Sequence, residues 1–396
     1  MQKIVKGISS SLIFALGLVF YCAALQAAAS TSYFVKTSGN NSNNGSEKSP
    51  FLTINRGLDA ANPGDSVIVG KGTYAEVVST KKAGTANAKI ILRAVTGEEV
   101  KVGTKGKVLN IEHDYNEVDG IIFDGLWGDK GMVAIKGNYA SLKNCTVKNN
   151  KRDGINVLGV TGVVIDNCKI YNLLRYDGKE RVDAHGITGR NPKNLLIKRC
   201  DISQFSGDGV QFDPSRSTPG WNNIIIEDCT FWLAPVSKAL STESGFPEGE
   251  APGENAVDTK TPGIKGAFSE TRCNLSIKNC VVYGFKNGLI DNMAAYNIKE
   301  NVDCVIEGGR MYANQIACRL RYPANVTVKN CTASGNEVAI RVEGGAKVLV
   351  EKVNFGEDNE VAIVEKGEGR GNGNLEIKNC TLPEKAKEKK RKKVKE

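Results

Sequence analysis

Five side chains in the second half of the chain have types and spacings that suit acid–base chemistry. Asp258 and Lys260 stand two positions apart, Arg319 and Arg321 repeat that spacing, and Asp213 precedes them. A lysine can take a proton from carbon when cations or a metal ion stabilise the negative charge that develops. These residues therefore predict a site that abstracts a proton beside a carboxylate, provided that the fold brings them together.

A repeated phrase indicates how the fold does so. The phrase alternates apolar and polar residues and ends in a cysteine corner that usually contains Asn or Asp. Its clear copies are Gly162–Cys168, Asn194–Cys200, Asn223–Cys229, Asn274–Cys280, Asn325–Cys331 and Asn374–Cys380. Each copy suits a short strand followed by a bend. Because a lone strand cannot bury its apolar side, such units must stack, so we predict an all-β fold, a single right-handed parallel β-helix.

A second phrase lies between the copies and predicts the second strand of each coil. Its copies are Asp153–Val157, His185–Gly189, Asp208–Phe212, Asn255–Thr259, Asn287–Asp291, Ile316–Leu320, Val338–Val342 and Val361–Glu365. Strand side chains alternate between core and solvent. The predicted inward residues are Ile155, Ile187, Val210, Val257, Leu289 and Ile340. The predicted outward residues are Asn156, Leu158, Thr188, Arg190, Gln211, Asp213, Asp258, Lys260, Ile290, Asn292, Arg319, Arg321, Arg341 and Glu343.

One face of the solenoid thus collects charge in its middle coils. Lys260 is the candidate base, and Arg319 and Arg321 are candidates for neutralising a carboxylate, about two coils or 10 Å away. His185 begins a neighbouring strand and is either an acid or base or a structural turn residue. The predicted substrate-binding residues are Arg190, Gln211, Asn292 and Arg341.

Long loops support the same location. Leu173–Asp183, Pro214–Trp221 and Trp232–Glu254 lengthen coils next to Asp213, Asp258 and Lys260. Insertions in a solenoid usually decorate its binding face, although ordinary surface loops are the alternative. Sugar units repeat at nearly the coil spacing, so the face suits one polyanionic chain lying across several coils.

The two ends differ from the body. Residues 1–29 resemble a signal peptide, because Lys3 and Lys6 precede the apolar run Leu12–Leu25 and small residues follow; an uncleaved anchor is the alternative. We expect an N-terminal cap and first coils over 30–111, the β-helix over 112–383, and a basic disordered tail over 384–396. The tail and the signal carry most of the net charge of +9, so nucleic-acid binding is not expected.

Eleven cysteines in a secreted chain would normally indicate disulfides. Most of them, however, occupy one repeat position, where Gly309 and Val353 also occur. We therefore predict a column of buried, free thiols that pack at a tight corner.

The N-terminal segment carries a specific resemblance. Residues 33–76, with the phrases SPFLTI, AANPGDSVIV and GTYAE, resemble bacterial pectate-lyase-like β-helix proteins, and the later coils resemble their repeats. Polysaccharide lyase families nine and six are the most similar. The helical spacing of Phe51, Ile54, Leu58 and Ala61 predicts a short helix, near Thr53 to Ala61, that caps the N-terminal end.

The resemblance implies a lyase that cleaves a uronate-containing glycan with a Lys or Arg base, often with calcium held by acidic residues. Lys260 suits that role, and Asp213, Asp258 and Asp208 are the candidate metal ligands. The chain lacks a paired Asp-Asp cluster, so an arginine-only site is the alternative to calcium.

Three functions are compatible with the sequence. The first is the lyase, the second a glycoside hydrolase that uses Asp213 with Asp258 or Asp208, and the third a non-catalytic glycan-binding or surface β-helix protein. We expect a secreted or periplasmic monomer that binds an acidic polysaccharide and has no membrane span after signal cleavage.

Overall fold

The computed structural model describes residues 30–213, 215–216, 218–264, 267–268, 271–367 and 374–384. These residues form a right-handed parallel β-solenoid of about 12 turns, as the sequence predicts. The proposed signal peptide and nearly all of the basic tail lie outside the described residues.

Each regular coil contributes one strand to each of three parallel sheets. The strands of the first sheet are Ser32–Val35, Ser66–Val69, Ile90–Ala94, Asn116–Asp119, Ser141–Lys143, Val164–Asp166, Leu196–Lys198, Ile224–Glu227, Cys273–Lys278, Val302–Glu307, Asn325–Lys329, Lys347–Glu351 and Asn374–Lys378. Those of the second are Gly72–Tyr74, Val100–Gly103, Ile122–Gly128, Thr146–Asn150, Lys169–Leu173, Asp201–Phe205, Thr230–Trp232, Val281–Tyr283, Arg310–Tyr312, Thr332–Ser334 and Asn354–Phe355. Those of the third are Val78–Ser79, Leu109–Ile111, Val133–Ile135, Ile155–Leu158, Ile187–Arg190, Val210–Phe212, Asn255–Thr259, Ala294–Ile298, Ile316–Arg321, Val338–Glu343 and Val361–Lys366.

The second sheet is the part of the coil that the repeats do not reveal. Its strands begin directly after the cysteine corner, as in Lys169–Leu173 and Asp201–Phe205. They are short and differ in sequence from coil to coil, so no repeated phrase marks them. The two repeated phrases correspond to the first and third sheets.

The N-terminal end is closed by helix α1, Ile54–Ala60. The Thr53 hydroxyl accepts a hydrogen bond from the Arg56 backbone, and the Glu76 carboxylate accepts from the backbone N–H groups of Ile54 and Asn55. These contacts satisfy donors that have no partner within a helix. Ile54 and Leu58 are buried on the first coil, so the predicted capping helix is confirmed.

Ten cysteines lie in the described residues, and all ten are free. In the corner column, thiols donate to backbone carbonyls of an earlier coil, as Cys200 Sγ does to Ile165 O at 3.7 Å and Cys229 Sγ to Ile197 O at 3.7 Å. Gly309 takes the same position with a φ of 78°, and a Cβ there would lie 2.1 Å from Cys280 O. The prediction of a packing column of free thiols is confirmed.

The outward face of the first sheet carries a row of charges that alternate in sign on successive coils. The strand register places its members in one line. They are Arg93, Asp119, Lys143, Asp166, Lys198, Glu227, Lys278, Glu307, Lys329, Glu351 and Lys378. Because neighbouring strands lie about 4.8 Å apart, each charge within the row has opposite charges on both sides, which favours this register over a shifted one.

Reversing one charge of this row should destabilise the fold. Lys329, whose Nζ lies 3.2 Å from Glu307 Oε1, stands between Glu307 and Glu351, so Lys329→Glu places three carboxylates in line. We expect a loss of about 1 kcal/mol in the free energy of unfolding, measured by urea denaturation at low salt and reduced at high salt. Lys347→Glu is the matched control, because its strand neighbours are Asn325 and Asn374. Equal effects of the two changes would contradict this role of the row.

Candidate active site on the third sheet

The outward side of the third sheet carries two rows of polar side chains. The first row, set by strand register, is Asn156, Thr188, Gln211, Asp258, Asn297, Arg319 and Arg341. The second row, two residues further along each strand or just beyond its end, is Leu158, Arg190, Asp213, Lys260, Lys299, Arg321 and Glu343. The predicted candidates Lys260, Arg319 and Arg321 therefore share one face, and Ile155, Ile187, Val210, Val257 and Ile340 are buried beneath it.

One coil differs from the sequence prediction. The third-sheet strand of that coil is Ala294–Ile298, whereas Asn287–Asp291 forms bends before it. Leu289 is 40% exposed instead of buried, and Asn292 has a φ of 62° in a bend. Asn292 is therefore not a member of either row, which corrects the prediction for that residue. Asn297 and Lys299 occupy its coil.

Two sets of loops form walls beside the middle coils. On one side, the hairpin Arg175–Tyr176 and Arg181–Val182 and the insertion containing helix α2, Lys238–Ser244, share a small apolar cluster. The cluster consists of Leu174, Val236 and Phe246, with Trp127, Tyr176 and Leu240 packed against it. The predicted loops thus flank the coils of Gln211 and Asp258.

On the other side, the segment after Asp213 is tied down by two contacts. The guanidinium of Arg216 donates to both carboxylate oxygens of Glu300 at 2.8 Å, a bidentate pair of the strong kind. The Trp221 indole N–H donates to the Lys260 backbone carbonyl at 2.7 Å. The backbone of Lys260 is therefore fixed, while its side chain is 26% exposed.

Asp258 lies between two lysines. Its carboxylate contacts Lys299 Nζ at 2.6 Å and Lys260 Nζ at 3.9 Å, and it accepts a hydrogen bond from Asn297 Nδ2 at 2.8 Å. Asp258 and Asn297 are each only 2% exposed. Lys299 is thus the close ion-pair partner of Asp258, and Lys260 is the less constrained amine.

Sequence reasoning missed Lys299 because the strand was placed too early. A signal was nonetheless present. Asn297-Ile-Lys299 has the same polar–apolar–cationic pattern as Arg319-Leu-Arg321, and Asp258-Thr-Lys260 has the same spacing of polar residue and cation. Comparing these triplets would have aligned the coil correctly.

Three arginines converge on Glu343. Arg319 contacts its carboxylate through Nε at 3.0 Å, Arg321 through Nε at 3.3 Å, and Arg341 through Nε and a terminal nitrogen. Burial alone would raise the pKa of Glu343, but the hydrogen bonds and positive charges of Arg319 and Arg341 outweigh it and hold the pKa below its ordinary value. The predicted carboxylate-binding arginines therefore have an internal carboxylate as their partner.

Asp208 lies deep beside the first row. Its two oxygens accept hydrogen bonds from Gln211 Nε2 at 2.6 Å and Asn255 Nδ2 at 2.7 Å. Burial, followed by repulsion from Asp258 and Glu254, raises its pKa well above the ordinary value. His185 Nδ1 accepts a hydrogen bond from the Asp208 backbone N–H at 2.8 Å, and the histidine is 7% exposed.

The candidate metal ligands do not form a calcium site as they stand. Asp208, Asp213 and Asp258 are each at most 2% exposed, and the side-chain contacts of Asp208 and Asp258 include N–H donors that a cation would have to displace. Within the described ranges, no three His, Cys, Asp or Glu side chains gather in a way that would hold a metal ion. Calcium remains a prediction, and no step proposed below depends on it.

Comparison with known proteins agrees with this architecture. Residues 33–339 match a family model described as the Pel9A-like, right-handed beta helix region. The chain belongs to this family. The resemblance to pectate-lyase-like β-helix proteins is thereby confirmed. The match to this family does not by itself assign a role to any residue. No curated protein sequence matches the chain significantly.

Solved structures show the same fold at low sequence identity. A rhamnogalacturonan lyase has a TM-score of 0.59 and 14% identity, over 89% of this chain and 88% of that one. Pectate lyase Pel9A has a TM-score of 0.56 and 16% identity, over 89% and 78%. A protein described as a glycoside hydrolase has a TM-score of 0.55 and 7% identity, over 89% and 96%. At such identities, these likenesses establish the fold alone.

Helices α1 and α2 have seven residues each, and no described helix is long and apolar enough to cross a bilayer.

The raised pKa of Asp208 makes a signed prediction about stability. In the unfolded chain the pKa of Asp208 is about 3.9. Above about pH 4, the folded protein therefore keeps a proton on Asp208 that the unfolded chain has lost. Wild-type stability therefore falls as pH rises from about 4 through the folded pKa. Asp208→Asn should remove this loss, so its stability relative to wild type should increase with pH, measured by urea denaturation at pH 4, 6 and 8.

The Asn255 carboxamide makes Asp208→Asn feasible. Its buried Oδ1 has no hydrogen-bond partner among the described residues. If the carboxamide turns over, this oxygen can accept a hydrogen bond from the new side-chain amide at position 208. Asp258→Asn is the contrasting variant, since it leaves the partly buried Lys299 ammonium without its carboxylate and should destabilise at neutral pH. A variant at position 208 that is less stable than wild type at pH 8 would show that the carboxylate is ionised and required.

Proposed function

We propose that the protein is an exported polysaccharide lyase that cleaves an acidic, uronate-containing glycan by β-elimination. The observation that carries this proposal is Lys260, a partly exposed amine on walled coils with Lys299 and three arginines on the coils that follow. The polysaccharide lyases among the structural neighbours support a glycan as the substrate class. The predicted signal peptide over 1–29 supports export.

The charge of the face suits a polyanion. From Asp258 to Glu343, the two rows contain five cations, Lys260, Lys299, Arg319, Arg321 and Arg341, against the carboxylates Asp258 and Glu343. The net charge of +3 extends over four coils, about 14 Å between the first and last strands. A glycan whose sugars carry carboxylates would compensate this charge along its length.

Lys260 has the placement required of the base. In its uncharged form, its amine takes the proton from the carbon next to the uronate carboxylate; the electron pair forms a carbon–carbon double bond, and the bond to the glycosidic oxygen breaks. That oxygen leaves with a proton from solvent.

Lys299, rather than the arginines, is positioned to neutralise the reacting carboxylate. It lies one coil from Lys260, about 4.8 Å along the solenoid, whereas Arg321 lies two coils away. Asp258 holds the Lys299 ammonium in place at 2.6 Å. A fixed cation at this point would stabilise the charge that develops as the proton leaves.

The function is tested by incubating the protein with polygalacturonate, rhamnogalacturonan and alginate, with and without calcium. A lyase produces unsaturated ends that absorb in the ultraviolet. New reducing ends without that absorbance would instead identify a hydrolase, and binding without any product would identify a glycan-binding protein.

Substitution of the two lysines tests both proposed roles. Lys260→Ala should lower kcat by roughly 10²–10⁴-fold, the usual contribution of a general base, with little change in folding. Lys299→Ala should also lower kcat/KM, because it removes a cation stabilising the transition state and leaves Asp258 without its closest ion-pair partner.

Lys347→Ala is the matched control, since that lysine is exposed on the first sheet. Far-ultraviolet circular dichroism and urea midpoints would verify that all three variants are folded. A Lys260→Ala protein with the wild-type elimination rate would exclude Lys260 as the base.

A further inference from the structure

The arginine cluster, defined as Arg319, Arg321, Arg341 and Glu343, has features that the reacting centre does not account for. Three guanidinium groups share one carboxylate, so the cluster retains a net charge of +2. Arg321 is 38% exposed and Glu343 18% exposed, and part of the cluster is therefore open to solvent.

The position of the cluster separates it from Lys260. The third-sheet strand of Arg321 lies two coils beyond that of Lys260, about 10 Å along the solenoid. A group bound there cannot be the carboxylate from whose neighbouring carbon Lys260 takes a proton. It would belong to a sugar further along the same chain.

The surface next to the cluster is suited to a sugar. Tyr322 follows Arg321 directly and is 44% exposed. On the next coil, Glu343 is followed by Gly344 and Gly345, so no side chain from these two residues covers the neighbouring surface. An exposed aromatic residue next in sequence to Arg321 can add an apolar contact to the charge-assisted hydrogen bonds of the arginines.

We propose that the arginine cluster is an accessory subsite for an anionic sugar, and that Glu343 holds the place of the sugar carboxylate when no glycan is bound. This inference rests on the proposed function in that it takes the ligand to be an acidic glycan. A carboxylate from the glycan would compete with Glu343 for the same guanidinium donors. Glu343 would thereby limit the affinity of the groove for highly charged chains.

The test compares two variants that each remove one negative charge from the third sheet. Glu343→Gln keeps the side-chain shape and a hydrogen-bond acceptor but frees the arginines from their counter-charge. Glu365→Gln is the matched control, because Glu365 is exposed on the adjoining strand. Both are made in the Lys260→Ala background, so that binding of polygalacturonate can be measured by calorimetry without turnover.

We expect Glu343→Gln to increase the affinity for polygalacturonate by about fivefold or more at low ionic strength, with a steeper loss of affinity on adding salt. Glu365→Gln should change the affinity less than about twofold, as expected for a charge in water. A neutral galactan should show no difference between the variants.

Several results would overturn the inference. Equal affinities of the two variants would show that only overall charge matters, and weaker binding by Glu343→Gln would show that Glu343 serves to order the arginines. Absence of polygalacturonate binding by any variant would also overturn it. Failure of the lyase proposal is recognised separately, by a wild-type protein that binds the polymer and forms no unsaturated product.

Discussion

In-register stacking of coils is the constraint on which the rest of this structure depends. Each residue lies about 4.8 Å from its equivalents on the neighbouring coils, so any side chain type that recurs at one position forms a row. An apolar row becomes core, but a row of like charges would repel. The first sheet meets this constraint by alternating charge without interruption from Arg93 to Lys378.

The third sheet meets the same constraint differently. Lys299 and then Arg319 with Arg321 follow Lys260 on successive coils, and two carboxylates, Asp258 and Glu343, are inserted among them as shared partners. This arrangement keeps the cations close together while limiting their repulsion, but it does not neutralise them. The third sheet thus departs locally from the alternation of charge seen on the first sheet, and such a departure is typical of a functional surface. A polyanion lying across the coils would supply the missing negative charge.

Much of this organisation follows from the sequence, because the core positions repeat with each coil. The inward set from Ile155 to Ile340 was predicted correctly except at Leu289, where a looped segment resembles a strand phrase more closely than Ala294–Ile298 does. Because a strand was predicted over this looped segment, Asn292 was wrongly included among the site residues and Lys299 was overlooked. The burial of Asp208 and Asp258 was not predictable, since it depends on walls and side-chain pairings between residues distant in sequence.

The two lysines illustrate how the fold assigns different constraints to similar residues. Lys299 is held through its side chain, by the Asp258 carboxylate at 2.6 Å. Lys260 is held through its backbone, by the Trp221 indole, and the loop carrying that indole is in turn fixed by the Arg216–Glu300 pair. The Lys260 side chain therefore starts from a fixed point of the backbone without being committed to a close ion pair, and the proposed role as a base requires that combination of fixed attachment and available nitrogen.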